Sequence, residues 1–283
     1  MTIGCAVVTY NSASHVSSLL DSLSELQLEA LVVVDNASRD RTVEIVRAST
    51  LPFGITVLER PNRGYAAGAN SAIDELRRQG VRLVLLLNPD AVVLSADLAA
   101  LELLFGGSPS LGSLCPVMIT PGGKTFDSVG LRLTPWGSVA DAQQGQPYRP
   151  IGTRVLRGVV GPCGGGAVYR VAALESVPGP FDERFFLYYE DADLALRLKR
   201  RGWQTVTSDL VTVEHRRGGL GSLAATPAGA GEAAALAHRQ ASYELFLRNS
   251  PLPLGRRLLG QPAARARRIA IRSRLSEQAR AAA

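Results

Sequence analysis

The feature that most constrains this chain is the regular alternation of its first 87 residues between short apolar runs and helix-period runs. Apolar runs at Ile3 to Val8, Leu31 to Val34, Ile55 to Leu58 and Val81 to Leu87 enclose amphipathic stretches at Ser14 to Leu26, Arg41 to Ala48 and Gly68 to Arg78. Strand-length apolar runs separated by helices predict right-handed crossovers, and hence a parallel sheet buried on both faces. Open sheets of this kind bind ligands at the carboxyl ends of their strands. Here those ends carry Thr9-Tyr10-Asn11, Asp35-Asn36-Ala37-Ser38 and Asn88-Pro89-Asp90, so polar groups gather at one edge.

Two common phosphate-binding arrangements are excluded. The first strand-to-helix turn, Thr9 to Ser14, holds no glycine, so the dinucleotide fingerprint G-x-G-x-x-G is missing, and no G-x-x-x-x-G-K-[ST] occurs anywhere. The longest apolar stretch, Val81 to Leu94, is broken by Asn88-Pro89-Asp90 and falls short of the roughly 20 residues that span a bilayer. Met1-Thr2-Ile3-Gly4-Cys5 lacks the basic start of a secretory signal, which predicts a cytoplasmic chain. Cys5, Cys115 and Cys163 are far apart and form no C-x-x-C pair, so they read as small buried residues rather than a disulfide framework or a zinc site.

Net charge is informative only once it is located. Residues 251–283 hold eight Arg against one Glu, so the formal +6 of the whole chain resides in the tail and the rest is close to neutral. One basic tail on a neutral body predicts a local contact with anionic lipid or a phosphate-rich partner, with no nucleic acid among the partners.

Five motifs follow in order: Val7-Val8-Thr9-Tyr10-Asn11, Val33-Val34-Asp35-Asn36-Ala37-Ser38, Asn62-Arg63-Gly64-Tyr65 leading to Gly68 and Asn70, Leu87-Asn88-Pro89-Asp90, and Phe186-Leu187-Tyr188-Tyr189-Glu190-Asp191-Ala192-Asp193. Together they resemble the family 2 glycosyltransferases of GT-A fold, and most closely the rhamnosyltransferase-like branch. The resemblance runs from about residue 3 to about residue 220. It implies an α/β fold, a mainly parallel Rossmann-like sheet flanked by helices, with a basic helical C-terminal appendage. The expected organisation is a catalytic domain at 1–216, divided near 105 into nucleotide-binding and acceptor-binding halves, then a mobile loop at 217–231 and C-terminal helices at 232–283.

By resemblance, Thr9, Asn11, Asp35 and Asn36 contact the nucleoside, Asp35 accepting from the base imide N–H. On its own, Asp35 followed by Ser38 is also turn and cap material. Arg63 and Gly64 stand before a helix whose amino end favours an anion, here the donor diphosphate. Asn88 and Asp90 occupy the place of the family's Asp-x-Asp metal motif with one carboxylate missing, and Asn-Pro-Asp is a turn sequence in either case. The matching ligand partner is His215, expected just beyond the last core strand, so Asp90 and His215 are the candidate ligands of a divalent cation, Mg²⁺ or Mn²⁺. Asp191 is the implied general base, Asp193 a residue that orders its helix, and Gly164, Gly165 and Glu190 the acceptor or sugar pocket. Three consecutive glycines from Gly164 suit either close approach to a ligand or a sharp chain reversal. Trp136 and Trp203 read as core or interface residues before sugar platforms.

The implied activity is inverting transfer of a sugar, dTDP-rhamnose being the best donor, to a hydroxyl of a saccharide or polyprenyl-linked acceptor in cell-envelope polysaccharide synthesis. Peripheral attachment at the inner face of the cell membrane through the tail would accompany it. The alternatives are a secondary-metabolite acceptor, a UDP-sugar donor, or a silent sugar-nucleotide-binding protein. A glycoside hydrolase is disfavoured, because Glu190 and Asp191 are adjacent and no second acidic site stands out.

Overall fold

In the computed structural model, residues 1–217, 230–252, 254–256, 258–262 and 264–266 are described, with backbone alone for 230–234. The expected mobile loop falls, from 218 to 229, outside the described residues, as does the basic tail from 267 onward. The first half follows the expected alternation: β1 (Ile3–Thr9), α1 (Val16–Leu23), β2 (Ala30–Asp35), α2 (Thr42–Ala48), β3 (Gly54–Glu59), α3 (Tyr65–Arg78) and β4 (Leu83–Leu87). It continues through β5 (Ala91–Ala96), α4 (Leu98–Gly107), β6 (Leu111–Ile119), β7 (Phe126–Ser128), β8 (Leu131–Leu133), β9 (Val139–Asp141), β10 (Val159–Gly161), β11 (Gly166–Arg170), α5 (Val171–Glu175), α6 (Glu190–Arg200), β12 (Gln204–His215) and α7 (Ala230–Asn249).

The main sheet runs β3-β2-β1-β4-β11-β6-β12-β5, with β7 added beside β6, while β10, β8 and β9 form a small second sheet. Strands β1 to β4 are parallel, and β11 inserts antiparallel between β4 and β6. Every residue of β1, β2 and β4 is buried because each face of the sheet has its own helical cover. Cys5, Val7, Leu31 and Val33 pack toward Leu19, Leu20 and Leu23 of α1 and Val46 of α2. Ala6, Val8, Val32 and Val34 pack instead with Ala66, Ala69, Ile73 and Leu76 of α3. Period-two alternation within a continuous apolar run thus feeds two cores.

Strand register brings distant polar residues together. Thr9 pairs with Asp35 across β1 and β2, and His215 pairs with Ala91 across β12 and β5, so His215 stands beside Asp90. It is the last residue of β12 rather than a residue beyond it. Strand β7 pairs Phe126 with Ile119, and β6 pairs Ile119 with Glu214, which carries Asp127 to the same place.

The entry to α3 is where the donor diphosphate contact was expected. Gly64 N–H donates to Asn62 Oδ1 at 3.1 Å and Tyr65 N–H to the Phe186 carbonyl at 2.8 Å, so both N–H groups are engaged by protein. Gly64 has φ +96°, and a Cβ there would lie 2.3 Å from the Phe186 carbonyl oxygen. Only glycine combines that backbone with that contact. Gly64→Ala is therefore expected to cost about 2 to 4 kcal/mol, strain and clash together. Urea unfolding checks this, with Gly80→Ala, also left-handed but with nothing within 4 Å of the added carbon, as the strain-only comparison.

Candidate active site

The sheet's polar edge opens into a cleft of about 540 Å³ lined by residues from both halves of the chain. Of the sequence-predicted residues, Thr9, Asn36, Gly64, Asn88, Asp90, Gly164, Gly165, Glu190, Asp191 and His215 line it. Asn11, Asp35 and Arg63 do not. The Asp35 carboxylate is 2% exposed and takes up Thr9 Oγ1 at 2.8 Å and the Ser38 N–H at 2.8 Å, so it orders the turn from behind, as its capping sequence also allows. Asn11 Oδ1 accepts from the Arg39 N–H at 2.8 Å, and Arg63 reaches outward to Glu183 at 3.2 Å.

One end of the cleft is a charge relay. The turn Asn88-Pro89-Asp90 is closed by the Ala91 N–H on the Asn88 carbonyl, and it sets the Asp90 carboxylate facing His215 Nε2 at 3.4 Å. The other ring nitrogen, Nδ1, bonds Asp127 Oδ2 at 2.8 Å. Asp127 Oδ1 also holds Arg217, whose second arm reaches Asp141 at 2.8 Å. Burial opposes charge on His215, but Asp127 and Asp90 outweigh it and the imidazole is pushed up to about 9. Burial likewise works against the Asp127 charge, and the bonds from His215 and Arg217 overcome it, holding the carboxyl below its ordinary range. A carboxylate fixing one imidazole nitrogen so that the other faces a ligand site is the usual support of a metal-bound histidine. Asp90 Oδ1 and His215 Nε2 therefore fit a small divalent cation that draws its remaining ligands from phosphate and water. No group of three His, Cys, Asp or Glu suited to a metal occurs among the described residues.

The second charged region comes from α6. Glu190 and Asp191 occupy its first turn, after Tyr188 and Tyr189, which both adopt left-handed backbone (φ +69° and +68°). Asp191 Oδ2 accepts the Gly164 N–H at 2.8 Å and Oδ1 accepts the Ala192 N–H at 2.7 Å. Burial raises its carboxyl, these backbone bonds oppose the rise, and the group settles at about 6. Glu190 is 4% exposed; burial and the neighbouring Asp191 push it well above the usual carboxylate range, and its Oε2 has no hydrogen-bond partner among the described residues. Asp193 is turned away from the cleft, gripping Arg197 at 2.6 Å and accepting from Ser250, so it orders the helix as expected.

Of the two roles that the glycine run allowed, the structure shows the chain reversal. Cys163 to Gly166 is a tight reversal closed by the Gly166 N–H, and a Cβ on Gly165 would stand 3.0 Å from the His215 ring. Cys5 and Cys115 are buried as expected, whereas Cys163 is half-buried and lines the cleft. Neither tryptophan does: Trp136 is 57% exposed, and Trp203 Nε1 bonds Ser176.

The sequence reading missed Asp127, Asp141, Arg217, Tyr65, Tyr188 and Arg239, all on the cleft wall. Asp127 and Asp141 lie in three-residue strands too short to show a period. Tyr65 Oη bonds the Gly164 carbonyl at 3.0 Å, joining α3 to the glycine turn. Its position next to Gly64, within a motif already singled out, was the one available signal.

Comparison with known proteins agrees with this geometry. The chain is 28% identical to the N-acetylglucosaminyl-diphospho-decaprenol L-rhamnosyltransferase of Mycobacterium tuberculosis over 74% of each chain. Among solved structures, residues 1–349 of Staphylococcus aureus TarS in complex with UDP superpose with a TM-score of 0.55 at 17% identity, covering 91% of this chain and 68% of that one. The mannosyltransferase PcManGT from Pyrobaculum calidifontis, in complex with GDP-Man and Mn²⁺, superposes with a TM-score of 0.56 at 20% identity, covering 99% and 80%. These likenesses confirm the GT-A fold. The model of glycosyl transferase family 2 matches residues 5–177, and the chain belongs to that family as a rhamnosyltransferase-like glycosyltransferase.

Proposed function

We propose that the chain transfers L-rhamnose from dTDP-rhamnose, with inversion at C1, to a hydroxyl of a lipid-linked saccharide used in cell-envelope polysaccharide synthesis. The observation that carries this reading is the division of one cleft into two unlike charge systems: Asp90 with His215 at the sheet edge, and Asp191 on α6 beside the Gly164 turn. A sugar-nucleotide transfer needs both, one to take charge from a leaving diphosphate and one to take a proton from the incoming hydroxyl. The rhamnosyl donor and lipid-diphosphate acceptor are supported by the relative's name.

In this reading Thr9, Tyr10 and Asn36 wall the nucleoside end, with Asp35 fixing Thr9 from behind. Asp90 and His215 would hold a divalent cation, which would supply charge neutralisation for the departing diphosphate. Asp191 receives the acceptor hydroxyl proton as that oxygen bonds to C1 and the bond from C1 to the phosphate oxygen breaks. Such proton removal contributes about 10² to 10⁴ in rate. Glu190, pushed toward its neutral form by burial and by the neighbouring Asp191, offers a hydrogen bond to a sugar hydroxyl. Membrane attachment is supported by exposed Trp136, Leu254, Leu258 and Leu259 around Arg256, because the helical turns at 254–256 and 258–262 lie against the Trp136-Gly137 turn. No helix among the described residues is long and apolar enough to cross a bilayer, so the contact would be interfacial.

Three outcomes test the assignment. Asp191→Asn should lower kcat by about 10² to 10⁴ while leaving the dTDP dissociation constant within about twofold. Wild-type kcat should rise with pH through an apparent value near 6, since the base works only when deprotonated and its pKa is raised to about 6. An unchanged kcat in Asp191→Asn removes the residue as base. Asp127→Asn, which loosens the His215 ring, should weaken Mn²⁺-supported dTDP binding by about 10-fold to 100-fold in calorimetry; equal affinity would dissociate Asp127 from the ligand site.

A further inference from the structure

Helix α7 lies beyond the region matched by the family model, yet it completes the cleft wall. Its body-facing side follows helical spacing: His238 stacks on Phe186 with centroids 4.6 Å apart, Ser242 Oγ donates to the Leu187 carbonyl at 2.8 Å, and Tyr243 and Phe246 pack on Tyr189. All four contacts fall on the loop that delivers Glu190 and Asp191. Arg239, on the same side, stands with its guanidinium 5.9 Å from the Tyr188 ring centroid and lines the cleft.

Among the described residues two arginines line this cleft, and they are not equivalent. Arg217 is committed to Asp127 and Asp141. Arg239 is exposed and makes no salt bridge among the described residues, its guanidinium standing over the Tyr188 ring. The surrounding wall carries Asp90, Asp127, Asp141, Glu190 and Asp191, a poor environment for an anionic substrate unless a cation is supplied. A guanidinium fork suits phosphate oxygens, and stacking on tyrosine holds it in place.

We infer that Arg239 is the acceptor-side phosphate contact, binding the diphosphate that joins the acceptor sugar to its lipid; this rests on the lipid-linked acceptor proposed above. The placement favours the acceptor over the donor. Tyr188 is three residues from Asp191, so an acceptor presenting its hydroxyl to Asp191 brings a diphosphate on the same sugar to this wall. The donor diphosphate belongs with Asp90 and His215 on β12 and the β4–β5 turn. One helical turn beyond Arg239, Tyr243 Oη bonds the carbonyl of Trp136, itself exposed, at 2.8 Å, so a lipid leaving the diphosphate has Trp136 and the exposed Leu254, Leu258 and Leu259 beyond α7 to lie against.

The test compares two synthetic acceptors, an N-acetylglucosaminyl diphosphate bearing a short alkyl chain and the same sugar as a neutral alkyl glycoside, with wild type, Arg239→Ala and Arg239→Lys. Arg239→Ala is expected to raise KM for the diphosphate acceptor at least tenfold more than KM for the neutral one, with Arg239→Lys intermediate and the calorimetric dTDP dissociation constant within twofold of wild type. Equal KM changes for both acceptors, no change for either, or a lost dTDP affinity would each overturn the inference, the last by moving Arg239 to the donor. A wild-type chain that binds dTDP but transfers to neither acceptor overturns the acceptor reading itself, and the inference with it.

Discussion

Five acidic side chains, Asp90, Asp127, Asp141, Glu190 and Asp191, share one cleft at the carboxyl edge of a buried sheet, and the rest of the architecture is arranged around keeping them there. Unpaired charges in so confined a space would expel one another or take up protons. Each is answered differently. His215 lies between Asp90 and Asp127, Arg217 ties Asp127 to Asp141, backbone N–H groups of Gly164 and Ala192 hold Asp191, and Glu190 is driven toward its neutral form. The outcome is a fixed network of paired charges beside Asp90 and a poised carboxylate on α6, which suits a reaction that separates a diphosphate from a sugar.

The α6 end depends on a strained connection. Tyr188 and Tyr189 are consecutive non-glycine residues in the left-handed region, a backbone that costs of order 1 to 3 kcal/mol per residue unless its surroundings enforce it. Enforcement comes from two sides: the Tyr65 N–H grips the Phe186 carbonyl from α3, and α7 packs across Phe186 to Tyr189. The C-terminal helix thereby contributes to the position of Glu190 and Asp191 as well as to the cleft wall. Removing it would relax the loop that carries them.

What could be read from the sequence follows from how each element signals itself. The strands β1, β2 and β4 are apolar on both faces and the helices between them are amphipathic, so their order and direction were legible, and the polar residues at their ends located the cleft. Asp127 and Asp141 were not legible, because a three-residue strand has no period and its place depends on register with β6 and β8. The roles expected of Arg63 and Asp35 followed their neighbours in the chain, whereas their partners, Glu183 for one and Thr9 with Ser38 for the other, are fixed by tertiary packing. Arg239 gave no signal, since one arginine on a helix acquires meaning only from the loop it faces.

Sugar transfer in this cleft requires that it bind a nucleoside diphosphate, here with help from a cation. Titration calorimetry of dTDP into the full chain, with Mn²⁺ and then with chelator, measures this without requiring the acceptor. The expected result is that dTDP binds, that it binds more tightly than GDP, and that Mn²⁺ strengthens binding at least tenfold. Absence of nucleotide binding in either condition, or binding indifferent to Mn²⁺, would contradict the assignment of Asp90 and His215 and the transfer built on it.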